Sequence, residues 1–357
     1  MLQSRYKQIT SLNRTGEIER ATHVQRQIIN TCPYMRAISY RFFFNTFSPI
    51  KPNIVVPSFI KNMSAAAVGD GISRPRSVVK VVLAKPQHDG DGALVRRSIG
   101  SRMELRSLDP FIMLDEFFVS APAGFPDHPH RGFETVTYML EGAFTHQDFS
   151  GHKGTIRAGD LQWMTAGRGI IHSEMPAETG TQRGLQLWIN LSSKDKMIEP
   201  KYQEMRKEEI KTAEEDGVEV RVIAGEAMGI QSPVYTRTPA MYLDFTLKPG
   251  AKWNQSIPES WNSIVYVIEG EGVFGTSNSS PTQAHHVLVL GPGDGLSAWN
   301  KSSDPLRFAL IGGQPLNEPI VQYGPFVMNT QTEIDQAIDD YRFCKNGFEK
   351  AKYWESQ

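Results

Sequence analysis

Short apolar stretches separated by turn-forming residues dominate the chain from about residue 78 onward. Runs such as Val78–Leu83, 135–140 and 185–190 are broken by Gly, Pro and Asp. This texture is typical of β-strands joined by turns, and sustained helical patterns are almost absent before residue 330. The pattern predicts an all-β fold, a sandwich or a barrel.

An internal repeat sharpens this prediction. Residues 138–142 end in a Glu-Gly pair and are followed by a Gly-Asp pair at 159–160, and residues 266–270 are followed in the same way at 293–294. In each copy glycine supplies the positive φ of a turn and aspartate bonds to its own backbone. Two copies of one β-unit predict two similar domains. They would be joined through the charged stretch 194–216, which we expect to include a short exposed helix.

Apolar residues recur at helical spacing near the C-terminus. Thr330 and Glu333 are placed for a capping box at the start of this segment, and Gly347 is placed to end it. We therefore expect a C-terminal helix that docks on a β-domain through Ile334, Ala337, Ile338 and Tyr341.

These patterns divide the chain into a basic extension over 1–75, a first β-domain over 76–205 and a second β-domain over 206–357. Residues 1–62 carry nine Lys or Arg against two acidic residues. Such a leader is typical of a mitochondrial or chloroplast transit peptide. The alternative is a disordered, dispensable extension with Met63 as the true start.

Composition narrows the class of protein. The net charge of -1 gives no chain-wide attraction to nucleic acid or anionic membrane. The two cysteines, Cys32 and Cys344, argue against a disulfide framework and for a reducing compartment. No apolar run approaches the ~18 residues of a membrane span. We expect a soluble intracellular protein.

Two short histidine clusters carry the candidate chemistry. They are His128-Pro129-His130 and His172-Ser173-Glu174, and in each the metal-capable residues stand two apart. Residues i and i+2 of a strand point to the same face. Two adjacent strands would aim three imidazoles and one carboxylate at a single point, which suits a divalent transition metal such as iron. A redox or dioxygen-binding site is the leading hypothesis.

Other titratable residues near these clusters are less directly placed. Glu134 follows His130 by four residues and, without a bulge, shares the histidine face. It therefore stays open as a second carboxylate of the site. His146 and His152 fall in a polar hairpin region, and we expect them to be solvent-exposed rather than ligating.

The second repeat provides an internal control for the metal hypothesis. His285 and His286 are consecutive, so they would face opposite sides of a strand and would not chelate together. We expect one metal ion per chain, in the first domain. Where the first repeat has its histidines, the second has uncharged polar residues: Asn254, Gln255 and Ser256 upstream, and Ser297 and Asn300 downstream.

Residues 124–136 and 159–176 resemble the signature of the pirin family of bicupins, and so do 235–239 and 324–329. The resemblance covers roughly 76–355 and is strongest to plant members. It implies two stacked antiparallel β-barrels with a short C-terminal helix. It also implies one iron ion, Fe(2+)/Fe(3+), in the N-terminal barrel. In the general cupin pattern the carboxylate ligand comes from the first motif, which here would be Glu134. Glu134 therefore stays open as a fifth ligand or as a group that contacts the ligands. The ligands that the pirin resemblance implies are His128, His130, His172 and Glu174.

The resemblance implies two functions. Pirins are nuclear transcriptional cofactors, which predicts a redox-sensitive regulatory protein that binds transcription factors or signalling proteins. Some members cleave quercetin with dioxygen, which makes an iron-dependent quercetin 2,3-dioxygenase the alternative. As an enzyme, the protein would use Glu174 or Glu134 as general base. The residues expected to line its substrate pocket are Phe133, Met164 and Trp188.

Whether the protein is an enzyme stays open from sequence, because the same ligands serve both functions. Direct binding to nucleic acid or membrane is not expected. The family resemblance favours the nucleus and/or cytoplasm, whereas an organelle follows if residues 1–62 are a transit peptide. No Lys/Arg cluster reads as a nuclear signal.

Overall fold

The computed structural model describes residues 72–101 and 104–357. The predictions for the basic leader lie outside these residues. Within the described ranges no helix is long and apolar enough to cross a membrane.

Strands account for most of the described chain, and one α-helix, α1 (Gln331–Arg342), lies near its end. The strands of the first half are β1 (Val78–Leu83), β2 (Pro86–Asp89), β3 (Ala93–Ile99), β4 (Phe111–Val119), β5 (Phe125–His130), β6 (Phe133–Glu141), β7 (Ala143–Asp148), β8 (Lys153–Arg157), β9 (Leu161–Thr165), β10 (Ile170–Pro176), β11 (Gln182–Asn190), β12 (Lys201–Met205) and β13 (Lys211–Glu215). Those of the second half are β14 (Val218–Ala224), β15 (Glu226–Ala227), β16 (Ile230–Gln231), β17 (Ala240–Leu247), β18 (Lys252–Ser256), β19 (Asn262–Glu269), β20 (Glu271–Phe274), β21 (Thr282–Gln283), β22 (His286–Leu290), β23 (Gly295–Trp299), β24 (Leu306–Gly313), β25 (Val321–Tyr323) and β26 (Phe326–Met328).

The strands form two barrels of the same design. In the first, a seven-stranded sheet of order β12-β9-β6-β11-β4-β3-β2 accompanies a four-stranded sheet of order β5-β10-β7-β8. In the second, the orders are β1-β22-β19-β24-β17-β14-β13 and β18-β23-β20-β21. The two copies of the sequence repeat, in β6 and β19, occupy the third position of their sheets. The prediction of an all-β bicupin is therefore confirmed.

Each end of the described chain packs on the barrel that is farther from it in sequence. Strand β1 pairs antiparallel with β22 and so completes the sheet of the second barrel. Conversely, β26 and α1 pack on the first barrel, where Phe326 and Ile334 join a core cluster with Ile170. The domain division at residues 205 and 206 stays a prediction, and these two exchanges tie the barrels to each other.

A matched pair of polar contacts lies in the layer between the barrels. The hydroxyl of Tyr138, from the first repeat, donates to Asp244 Oδ2 at 2.8 Å. The hydroxyl of Tyr266, at the same place in the second repeat, donates to Glu116 Oε2 at 2.8 Å. Both acids are buried, and arginines pair with them: Arg307 with Asp244 and Arg183 with Glu116. The repeated tyrosine therefore joins each barrel to the acid of the other.

Helix α1 begins as the sequence predicts. The Thr330 side chain accepts from the Glu333 amide, the reciprocal contact is present, and Ile334 and Ala337 are buried. The helix ends at Arg342, before Gly347. Of the short helix expected within 194–216, the structure has the 3-10 helix Ser193–Asp195 at the start of this stretch, and the strands β12 and β13 follow it.

Candidate metal centre

Strands β5 and β10 bring the two histidine clusters together. They pair antiparallel with His128 opposite His172, so the two side chains project from the same face. His130 lies two residues further along β5 and shares that face. The three imidazole rings have centroid separations of 4.4, 4.7 and 5.0 Å, and one ring nitrogen from each lies within 4.8 Å of the others.

The environment of two of these imidazoles, those of His130 and His172, favours the neutral form that binds metals. Burial lowers the pKa of His130, and repulsion from His128 lowers it further, well below the usual range. Burial also lowers the pKa of His172 well below its usual range, and repulsion from His128 and His130 lowers it further. Neutral imidazole nitrogens are free to coordinate a cation, so the donors are ready for a metal at neutral pH.

The hydrogen-bonding pattern of the triad fits a metal ion. His130 Nδ1 and both ring nitrogens of His172 are buried and have no partner. Buried polar atoms in proteins are nearly always satisfied, so unpartnered nitrogens on two neighbouring rings indicate a missing ligand. His128 Nδ1 lies 2.8 Å from the carbonyl oxygen of Pro126, an outer contact that orients a ligating imidazole.

Glu174 lies in the same barrel interior but outside this group of three. Its Oε1 accepts from Thr137 Oγ1 at 3.1 Å, and its Oε2 accepts from Gln186 Nε2 at 3.3 Å. The register of β10 against β5 shifts between His172 and Glu174, with the extra residue on β5, whereas β10 stays in regular register with β7 over the same residues. Its role as a fourth ligand stays a prediction.

The structure does not bring Glu134 to the triad. Strand β5 ends at His130 and β6 begins at Phe133, so the intervening turn breaks the alternation on which the shared face was predicted. Glu134 lies on the face of β6 opposite to Thr137, where Thr165 Oγ1 donates to its Oε1 at 2.6 Å. Burial raises the pKa of this carboxyl.

Of the three residues predicted to line a pocket, two contact the triad. The rings of Phe133 and Trp188 each lie 5.2 Å from the ring of His130 and 4.4 Å from each other. Met164 is fully buried in the cluster that receives Phe326. Phe133 and Trp188 therefore form an apolar wall beside the histidines.

A second histidine cluster was not predicted from the sequence. His146, expected to be exposed, is only 2% exposed. It lies with His152 and Glu204 in a group whose ligand atoms fall within 4.8 Å of one another. Glu204 comes from β12, which pairs with β9, and no local pattern in the sequence indicates that pairing.

The second barrel has no imidazole at the equivalent positions. There β18 pairs with β23, and Asn254 stands opposite Ser297 where His128 stands opposite His172 in the first barrel. The same fold therefore presents amide and hydroxyl groups at this place.

The comparisons with known proteins agree with this architecture. A pirin family model matches residues 92–189, and a model described as the pirin C-terminal cupin domain matches residues 242–347. A pirin-like protein from Solanum lycopersicum is 72% identical over 285 residues, which cover 80% of this chain and 98% of that protein. Pirin from Homo sapiens is 56% identical over 284 residues, 79% of this chain and 98% of that protein. Among solved structures, a quercetin 2,3-dioxygenase from Acinetobacter baumannii is 36% identical, with a TM-score of 0.70 over 77% of this chain and 99% of that one. The chain belongs to the pirin family.

Proposed function

We propose that this protein binds one iron ion in the first barrel and acts as a redox-sensitive regulatory protein. His128, His130 and His172 would hold the ion, with Glu174 as the predicted fourth ligand. When bound, iron supplies an Fe(2+)/Fe(3+) couple inside a buried site. The observation that carries the regulatory part is a direct connection from the histidines to helix α1.

Arg131 forms this connection. It follows His130 directly, and its side chain is 1% exposed. The guanidinium donates to the carbonyl oxygens of Arg168 at 2.6 Å and Asn346 at 2.6 Å, and to Asp340 Oδ2 in α1 at 2.8 Å. Because these groups are buried and close-packed, a displacement of His130 acts on the packing of α1.

A second contact joins the same loop to the C-terminal segment. The buried ammonium of Lys196 donates to the carbonyl oxygens of Gly132 at 2.9 Å and Val327 at 3.0 Å, and to Asn190 Oδ1 at 2.7 Å. The turn that follows His130, formed by Arg131 and Gly132, is therefore held to β26 as well as to α1.

The outer face of α1 is the surface whose binding to a partner would change with the oxidation state of the iron. Gln331, Asp335 and Asp339 are exposed there, whereas Ile334 and Ala337 anchor the inner face. The proposed partners are transcription factors or signalling proteins, and the proposed location is the nucleus and/or cytoplasm.

Amide hydrogen exchange tests this proposal without a known partner. We expect the exchange rates of residues 331–342 to differ at least about fivefold between Fe(2+)- and Fe(3+)-loaded protein, the lower end of typical coupling energies. The difference should vanish in Asp340→Asn, which breaks the connection but leaves the histidines unchanged. Equal exchange rates in the two oxidation states of the wild-type protein would refute the regulatory proposal.

Quercetin 2,3-dioxygenase activity is the second candidate function, because a solved structure that bears this name is 36% identical over 99% of its own length. In this function Glu174 would accept the proton of a flavonol hydroxyl. Thr137 and Gln186 would keep the carboxylate in position, as they do here. The rings of Phe133 and Trp188 would contact the flavonol.

Anaerobic reconstitution with Fe(2+), followed by quercetin and oxygen, tests the enzymatic function. Carbon monoxide release that is lost in His172→Ala would establish turnover at the triad. The matched control is His286→Gln, a histidine of the second barrel, which should retain the wild-type rate. No carbon monoxide above the His172→Ala background would exclude the enzymatic function.

A further inference from the structure

The cluster of His146, His152 and Glu204 has the geometry of a metal site distinct from the triad. His146 Nε2 lies 2.9 Å from Glu204 Oε1, and His152 Nε2 lies 3.0 Å from the same oxygen. Two imidazole nitrogens and one carboxylate oxygen thus converge at one place, where the hairpin of β7 and β8 meets β12. None of the three residues belongs to the triad.

Hydrogen bonding alone does not account for this cluster. Gln162 Nε2 also donates to Glu204 Oε1, at 2.9 Å, so three nitrogens crowd one oxygen. His146 Nε2 is buried and, despite its short distance from Glu204, has no hydrogen bond of acceptable geometry. A buried ring nitrogen that is close to an acceptor but not aligned with it is available for another ligand.

The distances also suit a small divalent cation. Tetrahedral zinc with bonds of about 2.0–2.1 Å separates neighbouring N and O ligands by about 3.3 Å. The observed separations of 2.9 and 3.0 Å need to widen by only about 0.3–0.4 Å. The side chains of His152 and Glu204 are 36% and 33% exposed, so they have room to move and leave a path for entry.

The surroundings hold the donors in place. The ring of Tyr202 stacks on His152 with centroids 4.2 Å apart, and Asp148 Oδ1 accepts the His152 amide at 2.9 Å. Position 154 is glycine, and a Cβ there would lie 2.6 Å from His146 Nε2. The close approach of the His146 ring therefore depends on Gly154.

We propose that His146, His152 and Glu204 bind a second divalent cation of the zinc type, with Gln162 orienting the carboxylate. Two imidazoles and a carboxylate suit zinc, cobalt and nickel better than magnesium or calcium. Three protein ligands leave a coordination position open toward solvent, as catalytic zinc sites do. This site shares no ligand with the proposed iron centre, although His146 stands opposite Glu174 where β7 pairs with β10.

Counting bound metal in the full-length protein tests the proposal. Metal-stripped His172→Ala, in which the triad is disabled, is titrated with Zn2+ or Co2+ and analysed by calorimetry and by the visible absorption of tetrahedral cobalt. We expect this variant to bind one equivalent more than His172→Ala combined with His152→Gln or with Glu204→Gln. Gln162→Leu should weaken this equivalent about 10–100-fold, as loss of an outer partner does.

Two further variants make the result specific. Gly154→Ala keeps all three ligands but places a methyl group against the His146 ring, so it should lose the extra equivalent while its thermal unfolding shows that it is folded. His88→Gln, an exposed histidine outside both clusters, should keep it. Equal stoichiometry in the His172→Ala protein with and without His152→Gln would overturn the proposal, whatever the triad binds.

Discussion

Replacing Asp340 with Asn is expected to lower the free energy of unfolding by about 3–5 kcal/mol, the range for breaking a buried ion pair. Asp340 and Arg131 lie 2.8 Å apart, and each side chain is 1% exposed. The substitution keeps the size of the side chain but removes its charge. The guanidinium would then stay buried next to His130 without a counter-charge, and this uncompensated charge is the source of the destabilisation.

An exposed ion pair provides the comparison for the destabilisation expected from breaking the buried pair. Lys248 and Glu214 lie 2.8 Å apart, the same distance, but their side chains are 69% and 57% exposed. Since water screens such pairs, Glu214→Gln should leave the unfolding midpoint unchanged. For a chain of this size, the loss in Asp340→Asn corresponds to a decrease in Tm of roughly 10 °C.

The pH dependence gives the same prediction an independent test. Burial acts to raise the pKa of Asp340, but hydrogen bonds from Arg131, Asn346 and Gln336 outweigh it and lower the pKa. The stabilisation is therefore present above the unfolded carboxyl pKa of about 3.9 and is lost as the pH falls through the lower folded value. Urea unfolding curves of the two proteins should differ at pH 7 and converge in strong acid.

The reasoning would be refuted by a loss below about 1 kcal/mol at pH 7, the size of an exposed pair. A double variant, Arg131→Met with Asp340→Leu, separates charge burial from packing. Because an apolar pair of similar volume has no desolvation penalty, it should recover most of the lost stability. If it is as unstable as Asp340→Asn, then packing, or the loss of the hydrogen bonds from Arg131 to the carbonyl oxygens of Arg168 and Asn346, explains the effect rather than the unpaired charge.

Three other perturbations address the barrel interface and the triad. Tyr266→Phe removes the donor to the buried carboxylate of Glu116 and should lower the free energy of unfolding by about 1.5–3 kcal/mol, measured by urea denaturation; no change would show that this contact is dispensable. Gly132→Ala places a Cβ 2.0 Å from the Val327 carbonyl oxygen at a residue with φ of +89°, so metal binding by the triad should weaken at least tenfold in a competition titration with a chelator. In metal-free protein, the lowered pKa of His172 means that the unfolded chain binds more protons below about pH 6.5, so stability should fall by up to about 1.4 kcal/mol per pH unit there. His172→Ala should flatten this slope.

The sequence was sufficient for features that depend on local alternation or spacing. The i and i+2 rule predicted that His128 and His130 share a face, and the strand pairing opposite His172 confirms it. The repeat predicted two similar domains because its Glu-Gly pairs terminate a strand at a turn, and Gly142 and Gly270 both have a positive φ. Such patterns depend on residues within one or two strands, so they can be recognised in a single sequence.

Features that depend on which remote strands meet were not accessible. The face of Glu134 was misjudged because a two-residue turn separates β5 from β6, and alternation does not continue across it. The burial of His146 depends on Glu204 arriving on β12 from more than fifty residues away. Pairing between distant strands is decided by tertiary packing, which local periodicity does not report.

The two barrels share a fold but differ in the residues at the metal-binding positions, so comparing them shows which residues the fold needs and which only the site needs. Their sheets have matching strand orders, and each contributes a repeat tyrosine to an acid in the other. Yet the paired positions hold His128 and His172 in one barrel and Asn254 and Ser297 in the other. Because the backbone of both barrels provides the same paired positions, the histidines are not needed to form the fold. The burial of His172 without hydrogen-bond partners is destabilising in the free protein, and a bound ion offsets that cost.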